Sequence, residues 1–202
     1  ATPNCVTSIA RSTSRKADSS RAFPPAKVLD MSTSAATALR SINPVDGSLI
    51  QEWEAMDAAT VDTTIESASS AWLSWRKMSF AERADCFKRL AQIFRDREQE
   101  FASLMTREMG KPISQSLAES QKCGWVCDYF ADHAEELLAD VPLPSDDREA
   151  FATFQPIGVI YAIMPWNFPF WQVLRSAAPT MMAGNAFLLK HSPNVTGCAM
   201  AI

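Results

Sequence analysis

The chain has 202 residues, enough for one domain or slightly more, and its apolar fraction of 47% is that of a globular protein. A net charge of −4 and a pI near 5.2 exclude the basic surface of a nucleic-acid binder. No apolar run approaches the roughly 20 residues of a membrane span, which argues against a membrane partner. Neither His has a second His or Cys at metal-ligand spacing, so no metal is expected. The five cysteines are scattered and odd in number, which suits a reducing compartment and a cytoplasmic location. Cys123 and Cys127, four apart on a predicted helix, read as buried thiols rather than ligands.

Residues 1 to about 40 are rich in Ser, Thr, Ala and Arg and show no periodic apolar pattern. They read as a disordered or non-native leader. A transit peptide and a true start at Met31 both remain open. The sequence does not begin with Met and stops at Ile202 inside an expected helix, which reads as part of a longer protein.

Asn43-Pro44-Val45-Asp46-Gly47 predicts a turn with a short strand on each side. Asp57 is suited to cap a helix in which Val61, Ile65, Ala68, Trp72 and Trp75 form one apolar face. Trp72 and Trp75 suggest core packing before a ligand stack. Ser79 and Glu82 form a capping box for a second helix with Ala84, Phe87, Leu90 and Phe94 inward. Arg95 to Glu98 mark a solvated helix junction. Gly110 and Pro112 stop the next helix. A long helix follows to Leu138, with Ile113, Leu117, Gly124, Cys127, Ala131, Ala134 and Leu138 available to pack. Val141 to Asp147 reads as a loop, and Arg148 to Gln155 has strand character.

Ile157 to Met164 is an unbroken apolar run bounded by Pro156 and Pro165, the pattern of a strand buried on both faces. Phe170 to Ala183 carries helical signals and ends at Gly184. Ala186 to Lys190 is a second short strand. Strand, helix and strand predict a right-handed parallel crossover, and ligands bind beyond the carboxyl ends of such strands. Pro165, Trp166, Asn167 and Lys190 fall at those ends.

The chemistry of these residues has open alternatives. Asn167 either braces its own turn or aims a neutral donor at a carbonyl oxygen that gains charge. Lys190 either marks where the strand reaches water or donates to a nucleotide. Arg175, eight residues beyond Asn167, is a helix surface charge or an anion clamp. If the helix starts early, Asn167 and Arg175 share one face of it.

Six ordered pieces carry a family resemblance. They are Ile42-Asn43-Pro44 with Gly47, Trp75-Arg76 before Arg83, Glu108 to Pro112, Pro156 to Val159, Met164 to Pro169, and Ala183 to Asn185 leading to Leu188-Leu189-Lys190. From about residue 41 onward the chain resembles the aldehyde dehydrogenase superfamily. Lys190 to Val195 and Phe170-Trp171-Gln172 look most like its bacterial succinate-semialdehyde dehydrogenase branch.

The resemblance implies an α/β fold with an incomplete Rossmann-type cofactor domain. Residues 41–139 would be its helical amino-terminal part. Residues 140–156 would be an oligomerisation strand segment, and 157–202 the first strand, helix and strand of the cofactor sheet. It implies oxidation of a small aldehyde, with NAD or NADP as cofactor, through a cysteine thioester. A homo-oligomer, dimer or tetramer, would be the working form. By position, Asn167 matches the oxyanion donor, and Ile163, Met164, Pro165, Trp166 and Asn167 match the cofactor wall. Lys190, Ser192 and Pro193 match the adenosine-ribose segment, while Phe168, Trp171 and Arg175 match the substrate pocket. Many NAD-preferring members carry Glu where this chain has Pro193, so NAD and NADP both stand. The nucleophilic Cys and general-base Glu would lie beyond Ile202, and Cys198 is not that nucleophile. The alternative of another class is a non-catalytic binding or assembly protein built from the same half-domain.

Overall fold

A computed structural model describes residues 38–146 and 149–202. The leader reading of residues 1–40 lies outside the described residues except at its end. There β1, Leu39–Ile42, already pairs with β2, Leu49–Trp53. The turn between them is held as its residue types predict. Asn43 Oδ1 accepts from the Val45 amide at 3.0 Å, and Gly47 takes a positive φ of 73°.

Four helices follow: α1 (Ala58–Trp75), α2 (Phe80–Asp96), α3 (Glu98–Met109) and α4 (Ile113–Leu137). Asp57 caps α1 by accepting from Thr60 N at 2.7 Å, and Ser79 with Glu82 closes the capping box of α2. Gly110, at φ 73°, ends α3. α1 packs less of its face than its periodicity suggests. Val61 and Ile65 are exposed, and the helix is tethered by its last turns. The Trp72 indole donates to the Gly184 carbonyl at 3.1 Å and the Trp75 indole to the Met181 carbonyl at 2.9 Å.

The buried face of α4 matches expectation at Gly124, Cys127 and Ala134 and departs from it at Ile113, which is exposed. Ser116, Glu119, Ser120, Cys123 and Val126 are buried as well. The reason is close approach. A Cβ on Gly124 would meet the Ala91 carbonyl of α2 at 3.3 Å, and Ser120 Oγ donates to the Phe94 carbonyl at 3.3 Å. Small residues let two backbones come together where large apolar ones would hold them apart.

Residues 141–147 are not wholly a loop. β3 (Val141–Leu143) pairs antiparallel with β4 (Ala150–Ala152). Next come β5 (Val159–Met164), α5 (Trp171–Met182) and β6 (Ala186–His191), with β5 and β6 parallel. A short 3-10 turn, Pro193–Val195, leads into α6, Thr196–Ala201.

Register decides the two faces of this sheet, because paired residues on neighbouring strands point the same way. Ile160, Ala162 and Met164 share a face with Phe187, Leu189 and His191; Ala162 is buried, and Met164, Phe187 and Leu189 pack on the core. Tyr161 and Ile163 share the other face with Leu188 and Lys190. They stay 58% and 68% exposed. The unbroken apolar run therefore does not mean burial on both faces in this chain. The centre of the core lies instead between α2, α3, α4 and α5, where Phe94, Phe101 and Phe170 meet with ring centroids 4.9 to 5.8 Å apart.

Candidate functional site

The start of both parallel strands is pinned by one side chain. Asn185 Oδ1 accepts from the amides of Ile157 at 2.7 Å and Gly158 at 3.1 Å. Its Nδ2 donates to the Thr180 carbonyl at 3.2 Å. Gly184 precedes it at φ 88°, where an added Cβ would meet Pro156 at 3.3 Å. With the start fixed, the carboxyl ends are fixed too. Ile163 lies opposite Lys190, and Met164 opposite His191.

The loop from Pro165 to Phe170 leaves β5 at this edge, and three anchors hold it. Phe170, fully buried, is the core end of the loop. Glu119 on α4 accepts from the amides of Phe170 and Trp171, both at 3.0 Å, through one carboxylate oxygen. These are the unpaired N–H groups at the start of α5, where a negative charge also meets the positive end of the helix dipole. The other oxygen binds the Lys111 ammonium; the two side chains are 1% and 5% exposed. The third anchor is His191. Its Nδ1 accepts from the Ser192 amide at 2.8 Å, so the proton sits on Nε2, which donates to the Pro169 carbonyl at 2.8 Å. Burial pushes this imidazole below its ordinary pKa, with the Pro169 carbonyl acting in the opposite direction.

The expected site residues separate into two groups. At the strand ends, Ile163 and Lys190 lie side by side on the open face, and Pro165, Trp166 and Asn167 are exposed on the loop. Met164 departs from this group, since its side chain belongs to the core face. Ser192 and Pro193 follow directly after β6, where Ser192 Oγ donates to Asn194 Oδ1 at 2.6 Å. The Asn167 amide makes no hydrogen bond among the described residues, so it does not brace its own turn. The premise that Asn167 and Arg175 share a helical face fails, because α5 begins at Trp171 and Asn167 precedes it.

The second group is Phe168, Trp171 and Arg175, which line one cleft of about 450 Å³ beside the loop. Lys111 and Lys122 enter it from the α4 side. The Lys111 ammonium lies 3.5 Å from the Phe168 ring centroid and that of Lys122 3.9 Å from the Trp171 ring. Sequence reasoning missed Lys111, Glu119, Lys122 and His191. One signal was available for Glu119: it is a carboxylate within the small-residue stripe of α4. Among the described residues no three His, Cys, Asp or Glu are grouped to hold a metal, and no helix is long and apolar enough to cross a membrane.

Residues 31–202 match the model of a family described as the aldehyde dehydrogenase family. A Synechocystis protein named "Probable succinate-semialdehyde dehydrogenase, NADP(+)" is 47% identical over 165 residues, 82% of this chain and 36% of its own length. The Escherichia coli succinate semialdehyde dehydrogenase Sad, named for NAD(P)+, is 40% identical over 172 residues, 85% of this chain and 37% of its own. Among solved structures, the succinic semialdehyde dehydrogenase of Streptococcus pyogenes in complex with NADP+ superposes with a TM-score of 0.78 at 32% identity. That match covers 81% of this chain and 36% of the other. The chain thus spans a little over a third of the length of the curated relatives it matches.

Proposed function

The chain belongs to the aldehyde dehydrogenase family, and from that premise we propose that it is the amino-terminal part of an enzyme oxidising succinate semialdehyde to the acid. NAD or NADP would be the cofactor, and the chemistry it supplies when bound is acceptance of a hydride. The observation that carries this reading is the parallel register at the strand ends. It sets Lys190 beside Ile163 on an open face, with the Asn167 loop leaving the same edge. That face fits a nucleotide: an apolar platform with an exposed ammonium that has no ion pair among the described residues. Pro193 brings no carboxylate, so nothing there repels a 2′-phosphate, in keeping with relatives named for NADP(+).

The chain's own residues would act as follows. Lys190 donates to the ribose hydroxyls. Asn167 donates its amide to the aldehyde oxygen as that oxygen gains charge. Arg175 holds the substrate's distal carboxylate, and Phe168 and Trp171 exclude water from its carbon chain. Attack on the aldehyde needs a thiolate, which adds to the carbonyl carbon to give a hemithioacetal; the thioester forms only once that carbon has given up its hydride, and water then cleaves it. None of the described cysteines suits that role. Burial pushes the Cys127 thiol up to about 12 and those of Cys123 and Cys198 well above their ordinary value. Cys86 lines a separate cleft with Leu90, Met181 and Phe187.

Two measurements test this. The 202-residue chain with succinate semialdehyde and NADP+ should give no aldehyde-dependent absorbance at 340 nm; a signal above the blank refutes the fragment reading. In the whole enzyme, Asn167→Ala should lower kcat by about 10²–10³, the usual effect of losing one oxyanion donor.

The β3–β4 hairpin favours one further element of this reading. Val141, Leu143 and Phe151 are exposed along it. Such a hairpin suits strand addition to a second subunit. It would serve an assembly protein equally, which is why the activity assay on the whole enzyme decides between the two.

A further inference from the structure

The cleft beside α5 holds more positive charge than one Arg supplies. Three cations line it, Lys111, Lys122 and Arg175, with one carboxylate, Glu119. Both oxygens of that carboxylate are already engaged, by three donors in all. One oxygen binds Lys111 and the other accepts from two backbone amides, so neither turns to Lys122, although Lys122 is only three residues along the same helix. Neither Lys122 nor Arg175 has an ion pair among the described residues. The other polar side chains of the cleft, Gln115 and Gln172, are neutral.

Position adds to charge. A surface lysine gains most by extending into water. Lys122 instead folds onto the Trp171 ring, with its ammonium 3.9 Å from the centroid. Arg175 stands one helical turn beyond Trp171 on α5. The two cations therefore reach the cleft from different helices, with the Trp171 indole common to both. A carboxylate has four acceptor sites and readily takes two cationic donors at once.

From this we propose that Lys122 is a second specificity-determining residue, binding the substrate's distal carboxylate together with Arg175. The inference rests on the carboxylate-bearing substrate proposed above. It adds that recognition is shared between α4 and α5, and that Lys122 acts on the charged end of the substrate rather than at the reacting carbon. Trp171 serves it twice, packing against the carbon chain and holding the lysine in place.

The test uses the whole enzyme with succinate semialdehyde and with butanal, a neutral aldehyde of the same chain length. Lys122→Met keeps an apolar stem on the Trp171 ring and removes the charge. It should raise KM for succinate semialdehyde about 10-fold, the effect of one lost charge-assisted contact. It should leave kcat and the butanal parameters within about twofold, and Lys122→Arg should restore most of the KM. Arg175→Gln serves as the internal reference. If Lys122→Met shifts neither substrate, or both equally, while Arg175→Gln still weakens only the semialdehyde, the role of Lys122 is overturned and the substrate reading stands. If neither variant discriminates, the carboxylate reading itself falls and Lys122 falls with it. Unfolding midpoints of both variants close to the parent's exclude a structural cause, which the exposed positions of both residues predict.

Discussion

Glu119 is the residue on which the loop geometry turns. It is 1% exposed and holds three partners, the Lys111 ammonium and the amides of Phe170 and Trp171, and through the amides it holds the first turn of α5. Glu119→Gln would leave Lys111 buried without its counter-charge, and losing one partner of such a pair typically costs about 3–5 kcal/mol. The midpoint of urea unfolding should fall accordingly; an unchanged midpoint would mean that Lys111 finds water or another partner. His191 makes a pH-dependent link. Its folded pKa lies below the ordinary value near 6.5 because burial disfavours the imidazolium. Between the two values the unfolded chain binds the proton more readily than the folded one. Stability from this residue is therefore full above about pH 6.5, is lost as pH falls through the lowered folded value, and is level below it. In urea titrations at several pH values, His191→Gln should remove that part of the slope.

At the scale of elements, local signals were legible and distant partners were not. The caps at Asp57 and Ser79–Glu82, the stop at Gly110 and the crossover from β5 through α5 to β6 all follow from residues within a few positions of one another. The roles of Glu119, Lys111 and His191 depend on contacts 8 to 52 residues away in sequence, and no local pattern encodes them. The same limit explains α4. Gly124, Cys127 and Ala134 bury as the sequence suggests, but close approach to α2 adds Ser116 and Ser120 to that face and leaves Ile113 outside it. It also explains β5, whose uniformly apolar sequence does not distinguish a covered face from an open one. Asn185 offers a direct check on the crossover. Its Oδ1 satisfies two backbone amides at the start of β5, and Asn185→Ala should cost about 1–3 kcal/mol for leaving them unpaired. Thermal unfolding measures this, and no loss would show that the strands hold their register without it.

For the molecule as a whole, the parallel pair is the frame and the two candidate subsites are what it carries. One is the open face at Ile163 and Lys190; the other is the cleft of Phe168, Trp171 and Arg175. The loop between Met164 and Trp171 borders both, so a shift in that loop moves Asn167 and the cleft together. Motif order made the strand-end group legible, because each of its residues lies within or next to β5 or β6. The α4 contribution to the cleft was not legible, since Lys122 reads in sequence as an ordinary surface charge. The most direct measurement is a crystal structure of the whole enzyme grown with NADP+. The nucleotide should lie across the ends of β5 and β6, with its adenosine ribose within hydrogen-bond reach of Lys190 Nζ and the Asn167 amide facing the nicotinamide end. A nucleotide bound elsewhere, with Lys190 and Asn167 both turned away from it, would contradict the assignment.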